Sequence, residues 1–496
     1  MDNYKKLLIF IFLLSLSLRI YFSFQIPNYN YESYFDIRQI THITNNGWPI
    51  FSDDLSYQGR TITFSPLYHY VLAFFNLFLP EFIVFKIIPN VFASTIVIIS
   101  YLISYRITGS KKISLLTSFI SAFVPRYMSE TINSLSIYSL VIPLTFLMLY
   151  FLLNLENKRY CYYFIVSAFL LSILHPSSLI FVLGLIIYTI ILLLEDIKQE
   201  RLELEAMLFS IFLIIWVQFL IYKKDFLIYG TGLIWQNIPN TVLSQYFTEI
   251  SILGAIVSIG LIPLISGIYT IYKLLFRAKN KDMYLLISFA LAITLLLYLK
   301  LIAFKVGLMF LGIILTLLFS QSYKFFEIYI VRTRFSKYIT HLFIFTIIMF
   351  MITTVVPSFY IAQSKINDAP TQEEIDAMKW IEQNTPKDST ILAPLKYGFL
   401  INFFAERKNI VDQNFLTSKD PPQRLEDIRI IYTTKYKTDV LGLLSKYSAN
   451  YLLISEKIKR EFNIINVDYT EDSECFKLVY NSEIDVYKSL CAIGEI

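Results

Sequence analysis

The chain is short of charge. Asp, Glu, Lys and Arg make up 16% of its 496 residues, against about 25% in soluble domains. That deficit excludes a wholly soluble body of this length. Cysteine is scarce too, with only Cys161, Cys475 and Cys491. Three cysteines exclude a disulfide-framework scaffold. Cys475 and Cys491 can pair if their segment lies outside the cytosol; two unpaired thiols are the plainer reading. No small-residue cleavage site follows the first apolar run, so that run reads as a retained helix and not a signal peptide. Internal repeats and low-complexity tracts are absent. Mid-membrane polar residues look few, and both observations speak against a transporter.

What the chain has is apolar length. It is 56% hydrophobic, with a mean hydropathy of +0.56. Between Leu7 and Ile361, apolar runs of 18 residues or more recur, each long enough to cross about 30 Å of hydrocarbon as a helix. The spans fall at 7–25, 84–106, 113–128, 137–154, 160–175, 177–194, 205–222, 250–275, 282–299, 303–320 and 338–361, giving about eleven crossings. The segment 64–80 is apolar but short, with Pro at both ends, and reads as a re-entrant or interfacial helix. From Lys365 onward no such run exists. The predicted fold class is a polytopic α-helical membrane protein with a small C-terminal α/β domain outside the cytoplasm. The predicted division is 1–363, carrying an external loop at 26–63, and 364–496.

Basic residues cluster between the apolar runs. With Lys5 and Lys6 cytoplasmic, the predicted inside loops carry Arg106, Lys111 and Lys112; Lys158 and Arg159; Lys198 and Arg201; Arg277, Lys279 and Lys281; and Lys324, Arg332, Arg334 and Lys337. Lys223 and Lys224 are the exception, in an outside loop. An odd number of spans then puts the C-terminal domain outside a cell membrane. The net charge of +5 is therefore a topology signal, and a nucleic-acid partner is not expected.

The terminal segment opens with a capping box, Thr371 and Glu374. Ile375, Met378 and Ile381 follow on one helical face, and Thr385-Pro386 ends the helix. Short apolar runs at Thr390–Ala393, Ile410–Val411, Tyr451–Ser455, Phe476–Tyr480 and Ile484–Tyr487 alternate with helical stretches near 421–432 and 436–446. This is the pattern of a small α/β domain.

Candidate chemistry sits in the loop after the first helix, which holds Glu32, Asp36, Asp53, Asp54, Arg38, Arg60, His42 and, at its end, His69 among many tyrosines. A carboxylate at a membrane surface can serve as a general base or as a ligand for a hard divalent cation. Aromatic and amide side chains suit a sugar. The plainer reading is a solvated loop with interfacial tyrosines.

The stretch YESYFDIR resembles the DPxYHYR-like motif in the first external loop of oligosaccharyltransferase catalytic subunits, glycosyltransferases of the GT-C class that use lipid-linked sugar donors. GWPIFSDD and FSPLYHYVLAFF follow in that family's order. The stretch DAMKWIEQNTPKDSTILAPLKYGFLINFFAERKNIVDQNF is similar to the family's terminal-domain plan of W-x-x-x-N-T-P-x-D, then W-W-D-Y-G-Y, then R-x-x-x-x-D. By this resemblance Glu32 stands at the family's first catalytic acid, with Asp36 as its helper, and Arg38 falls on the motif's Arg. The second acidic motif falls near Ser136 or Tyr138, where no Asp stands, and Glu130 is that loop's only acid. Glu249 in QYFTEIS matches the third. Lys305, with Lys300 as fallback, matches the cation that meets the donor phosphate, and Arg38 is a second expected contact of that phosphate. Tyr34, Glu130, Glu249 and His175 become candidate acceptor or sugar contacts.

Two departures change what the resemblance implies. The WWD triplet reads Pro394-Leu395-Lys396, which inverts the charge of the sequon contact and argues against Asn-sequon transfer. The missing second Asp removes a ligand for the divalent cation, Mg or Mn, that the family would bring. A scheme with one carboxylate as base and a monosaccharide lipid-phosphate donor fits these residues better. The expected function is transfer of a sugar from a polyprenyl- or dolichyl-phosphate to an extracytoplasmic protein, lipid or glycan, with Glu32, Glu249 and Lys305 lining one cavity. The alternative is a non-catalytic relative acting as a membrane scaffold or assembly partner. Each residue also has a plainer role: Asp36 pairing with Arg38, Glu249 capping a helix, Lys305 snorkelling, His175-Pro176 ending a helix, and Tyr397-Gly398 forming a structural turn.

Overall fold

A computed structural model describes residues 3–230, 251–277, 279–415, 418 and 420–491. The chain divides into two compact units. One comprises Met1–Ile26, Ser65–Lys223 and Ser244–Asn367; the other comprises Pro27–Phe64, Lys224–Leu243 and Asp368–Ile496. The loop after the first helix thus belongs to the same unit as the C-terminal domain.

The first unit is helical, and the chain is a multi-pass membrane protein. Among the described residues six helices are long and apolar enough to cross a bilayer, and a seventh is counted if Ile252–Ile259 and Leu261–Phe276, bent by 89°, form one span. Each of the eleven expected runs contains helix among its described residues, but several helices are short: Lys111–Ala122 has 12 residues, Tyr138–Leu152 has 15 and Lys158–Leu174 has 17. The breaks have local causes. Proline disfavours an α conformation in the residue before it and fits the first position of a new helix. Val124, ahead of Pro125, is accordingly extended (φ −59°, ψ 116°), so the expected 113–128 helix splits into Lys111–Ala122 and Pro125–Thr131. Gly260 breaks the 250–275 run with φ +98°, a conformation that strains any L side chain. The segment read as re-entrant or interfacial holds a ten-residue helix, Leu67–Asn76. Phe304–Val331 is the most buried of these spans among the described residues.

The second unit is built on a sheet. We label the strands β1 (Ser52–Asp53), β2 (Arg60–Thr61), β3 (Thr390–Leu392), β4 (Lys408–Asn409), β5 (Ala449–Ser455), β6 (Phe476–Tyr480) and β7 (Ile484–Ser489). The five-stranded sheet runs β4-β3-β5-β7-β6, with β3 parallel to β4 and β5, and β7 antiparallel to β5 and β6. β1 and β2 form a separate antiparallel pair. Helices Gln372–Asn384, Pro421–Thr433 and Lys437–Lys446 accompany the sheet. The first carries the expected capping box: Glu374 N donates to Thr371 Oγ1 (3.1 Å) and Thr371 N to Glu374 Oε2 (3.0 Å). The expected strand at Ile410–Val411 is displaced to Lys408–Asn409. Side-chain bonds end the ladder there, since Asn409 accepts from Tyr57 N (2.8 Å) and donates to Gly398 O (3.0 Å). The chain then turns so that buried Asp412 meets Arg60 at 2.9 Å.

Cys475 and Cys491 form a disulfide, with Cα atoms 4.9 Å apart. Cys161 remains a free thiol. Denatured, unreduced protein should therefore titrate with one thiol-reactive group per chain, and three would show that the bridge is absent. Tyr397 and Gly398, expected as a turn, lie instead in short helical segments, Leu395–Tyr397 and Gly398–Leu400, and their role is structural: a Cβ on Gly398 would lie 2.3 Å from Val411 O and 2.7 Å from Asp412 Cα, both backbone atoms. Gly398→Ala should destabilise this unit by about 1–3 kcal/mol. An unshifted unfolding midpoint for the solubilised protein would contradict that packing.

Candidate active site

In the second unit, candidate residues gather on the Ser33–Asn46 helix. Asn30 starts it by accepting from Ser33 N at 3.2 Å, and Gly47 ends it with φ +82°. Glu32 occupies the N-cap position without capping through its side chain. It is exposed, whereas Tyr31, Ser33 and Tyr34 around it are buried. Asp36, half-buried, stands one turn further along the same helix face. Arg38 does not take Asp36 as its salt-bridge partner. Its guanidinium forks onto buried Asp53 at 2.6 and 3.0 Å, a geometry that fixes the arginine in place. Tyr34 packs its ring on Phe403 and Phe404, at 5.4 and 5.0 Å.

In the first unit, charge collects around the Pro125–Thr131 helix. Glu130 is buried there, with Arg126 Nη2 at 3.0 Å and Lys365 Nζ at 3.6 Å from its Oε1. Lys305, in the first turn of Phe304–Val331, adds a third positive field. Burial alone would raise the carboxyl, but Lys365, Arg126 and Lys305 more than reverse that and hold it at about 2. Of the two cations paired with Glu130, Lys365 is the more exposed, at 39% against 16% for Arg126. An exposed ammonium at such a pair can meet a second anion.

The structure brings Glu130 and Lys305 together and leaves His175 apart from them. His175 ends the Lys158–Leu174 helix; its Nδ1 lies 2.9 Å from Ser177 Oγ and accepts from Ser177 N at 3.1 Å, and its ring meets Tyr138 edge-on. The helix-ending role is therefore visible. Glu249 lies outside the described residues. Glu32 and Lys305 belong to different units.

Sequence analysis gives Arg126 and Lys365 no role; only folding brings them to Glu130. It also passed over Arg19 and Lys86, which were visible as ionisable residues inside apolar runs. Arg19 is buried, donates to Thr131 Oγ1 at 2.7 Å and lies 5.1 Å from the centroid of the Tyr127 ring, tying the first helix to the Glu130 helix. Lys86 donates to Ser23 O (2.8 Å) and Ile26 O at the end of the first helix, where carbonyls lack helical partners. Among the described residues no group of three His, Cys, Asp or Glu could hold a metal ion.

A search of curated proteins finds no sequence match. The profile of the family described as "Dpy19: Q-cell neuroblast polarisation" matches residues 280–471. Among solved structures, the chain is similar to the oligosaccharyltransferase of Archaeoglobus fulgidus in its apo form, with a TM-score of 0.68 and 14% identity over 91% of this chain and 69% of that one. The same figures hold for the A. fulgidus AglB complex with an inhibitory peptide and a dolichol-phosphate. ArnT from Cupriavidus metallidurans bound to undecaprenyl phosphate is similar at a TM-score of 0.58 and 9% identity, over 99% of both chains. The fold is that of the GT-C membrane glycosyltransferases, with a small C-terminal sheet domain.

Glu130→Gln takes the carboxylate from among its cations and should cost about 3 kcal/mol, as for other broken buried pairs. Because the folded carboxyl lies below the ordinary 4.5, its contribution is complete above about pH 4.5 and is lost as pH falls toward 2. Thermal unfolding across pH 3–8 checks both. A variant as stable as the wild type at pH 7 would refute the coupling.

Proposed function

We propose that the chain is a glycosyltransferase that moves one sugar from a polyprenyl- or dolichyl-phosphate donor to an extracytoplasmic acceptor. The observation that carries this is the cluster of Arg126, Lys305 and Lys365 around Glu130, in a fold whose solved counterparts hold a dolichol-phosphate and undecaprenyl phosphate. The Dpy19 profile match supports it, since that family comprises GT-C-type mannosyltransferases. A mannosyl lipid phosphate is accordingly the first donor to test.

The chemistry follows from the charges. Glu32, exposed on a helix start, takes the proton of the acceptor as that group attacks the anomeric carbon; Asp36 supports it from the next turn. The bond from the anomeric carbon to the phosphate oxygen breaks, and its electron pair stays on the lipid phosphate. Lys305, with Lys365 and Arg126, meets the charge growing on that phosphate, where fixed cations act most strongly. Arg38, forked on Asp53, is a second candidate contact for that phosphate. Inversion at the anomeric carbon is the outcome of one such displacement.

In this reading the N-terminus is cytoplasmic and the C-terminal domain lies outside. Basic loops at 106–112, 158–159 and 277–281 support the orientation, as does the Cys475–Cys491 disulfide, a bond favoured in oxidising compartments. Lys396 ion-pairs with Asp368 at 2.7 Å, and a cation at that position favours an acceptor other than the Asn sequon.

Glu32→Gln should lower sugar transfer from mannosyl lipid phosphate in isolated membranes by about 10²–10⁴-fold. Lys305→Ala should lower it by about 10²-fold. Wild-type rates in both variants would refute these residue roles, and no transfer by the wild type itself would leave the scaffold alternative standing.

A further inference from the structure

Glu32 is exposed, yet the residue before it is among the most tightly held in the second unit. Tyr31 is 3% exposed. Its hydroxyl donates to Glu374 Oε2 at 2.6 Å. The same Oε2 accepts from Thr371 N at 3.0 Å, in the capping box of the Gln372–Asn384 helix. Glu374 Oε1 accepts from the Tyr397 hydroxyl at 3.0 Å and ion-pairs with Lys457 Nζ at 3.1 Å. The Tyr397 ring meets Tyr31 edge-on at 5.5 Å, and Lys396 Nζ sits 4.5 Å from the Tyr31 ring centroid. Asn28 adds a bond to Pro370 O at 3.1 Å.

A carboxylate 1% exposed, as Glu374 is, is tolerated only when cations and donors replace its water. Here the donors come from three stretches distant in sequence: the loop at Tyr31, the short helical segment at Tyr397 and the start of the Glu456–Glu461 helix at Lys457. Four groups converge on two oxygens, so none of the three can shift without leaving a buried charge short of a partner. The position adjoining Tyr31 inherits that rigidity. A capping box needs only one oxygen of its glutamate for the cap; the other oxygen and the full charge of Glu374 serve the Tyr397 and Lys457 contacts.

We propose that Tyr31 and Glu374 are positioning residues for Glu32, and that the C-terminal domain contributes to sugar transfer by clamping the base in place through them. The inference rests on the reading of Glu32 as the base. Holding a reacting group within about 0.5 Å of its productive place is worth orders of magnitude in rate. Loss of one bond of the clamp should therefore lower kcat while leaving the donor KM, set by the cation cluster of the first unit, unchanged.

The test is transfer from mannosyl lipid phosphate by solubilised full-length enzyme, with rates expressed per folded molecule. Tyr31→Phe keeps the ring and removes the hydroxyl; kcat should fall about tenfold, with donor KM within twofold of wild type. Glu374→Gln keeps the cap but loses the charge and should fall further. In a Glu32→Asp background, whose shorter carboxylate is already misplaced, Tyr31→Phe should cost less than twofold, because both changes act on one group. An unchanged kcat in Tyr31→Phe overturns the clamp, as does a full tenfold cost in the Glu32→Asp background, which would mean a general structural role. If Glu32→Gln itself transfers sugar at the wild-type rate, the reading of the base falls.

Discussion

A carboxylate withdrawn from water must be met by cations and donors, and this constraint organises both units. Glu130 does so in the first and Glu374 in the second. Neither is held by one neighbour. Glu130 feels Arg126 on its own helix and two lysines from the ends of other helices. Glu374 collects a tyrosine from the early loop, a second from the short helical segment after β3, and a lysine after β5. Removing any contributor leaves charge buried without full compensation, which is why each site couples segments far apart in sequence.

The two sites differ in their exposure. Around Glu374 the oxygens are saturated, and the contacts give rigidity. At Glu130, Lys365 keeps much of its exposure. A saturated site holds a neighbour still; an exposed cation can meet a ligand. This division suits a sugar transferase, in which one group must hold a base and another must receive a departing phosphate. Asp412 repeats the first kind: it accepts from Ser56 and Arg60 and gives its backbone carbonyl to the Tyr57 hydroxyl, fixing the same early loop. That loop is secured by the C-terminal domain from both of its ends.

Lys396 shows how one substitution is absorbed. Where the resemblance brings an acid for acceptor recognition, the ammonium pairs with Asp368 and lies near the Tyr31 ring. It has joined the surroundings of the clamp. The segment that follows, Tyr397-Gly398, keeps its shape because the backbone at Val411 and Asp412 leaves no room for a Cβ. The scaffold of the motif persists while its former polar contact is gone.

Apolar run length determined by itself that this chain spans a membrane, because bilayer thickness is a property of the solvent and not of the fold. Thr371 and Glu374 were legible as a capping box, since that geometry is closed within four residues. The alternating strands at 451–455, 476–480 and 484–487 were legible for the same local reason. Tertiary structure decided the rest. The 113–128 run broke at Val124-Pro125, and the strand near 410 moved back by two residues because Asn409 bonds to distant Tyr57. Cys475 and Cys491 could be seen as two thiols, but only folding brought their Cα atoms to 4.9 Å. Arg126 and Lys365 lie 239 positions apart in the numbering yet act on one carboxylate; no local pattern marks such a pair. Charge sites depend on proximity in space, which sequence spacing encodes only within a helix turn or a strand pair.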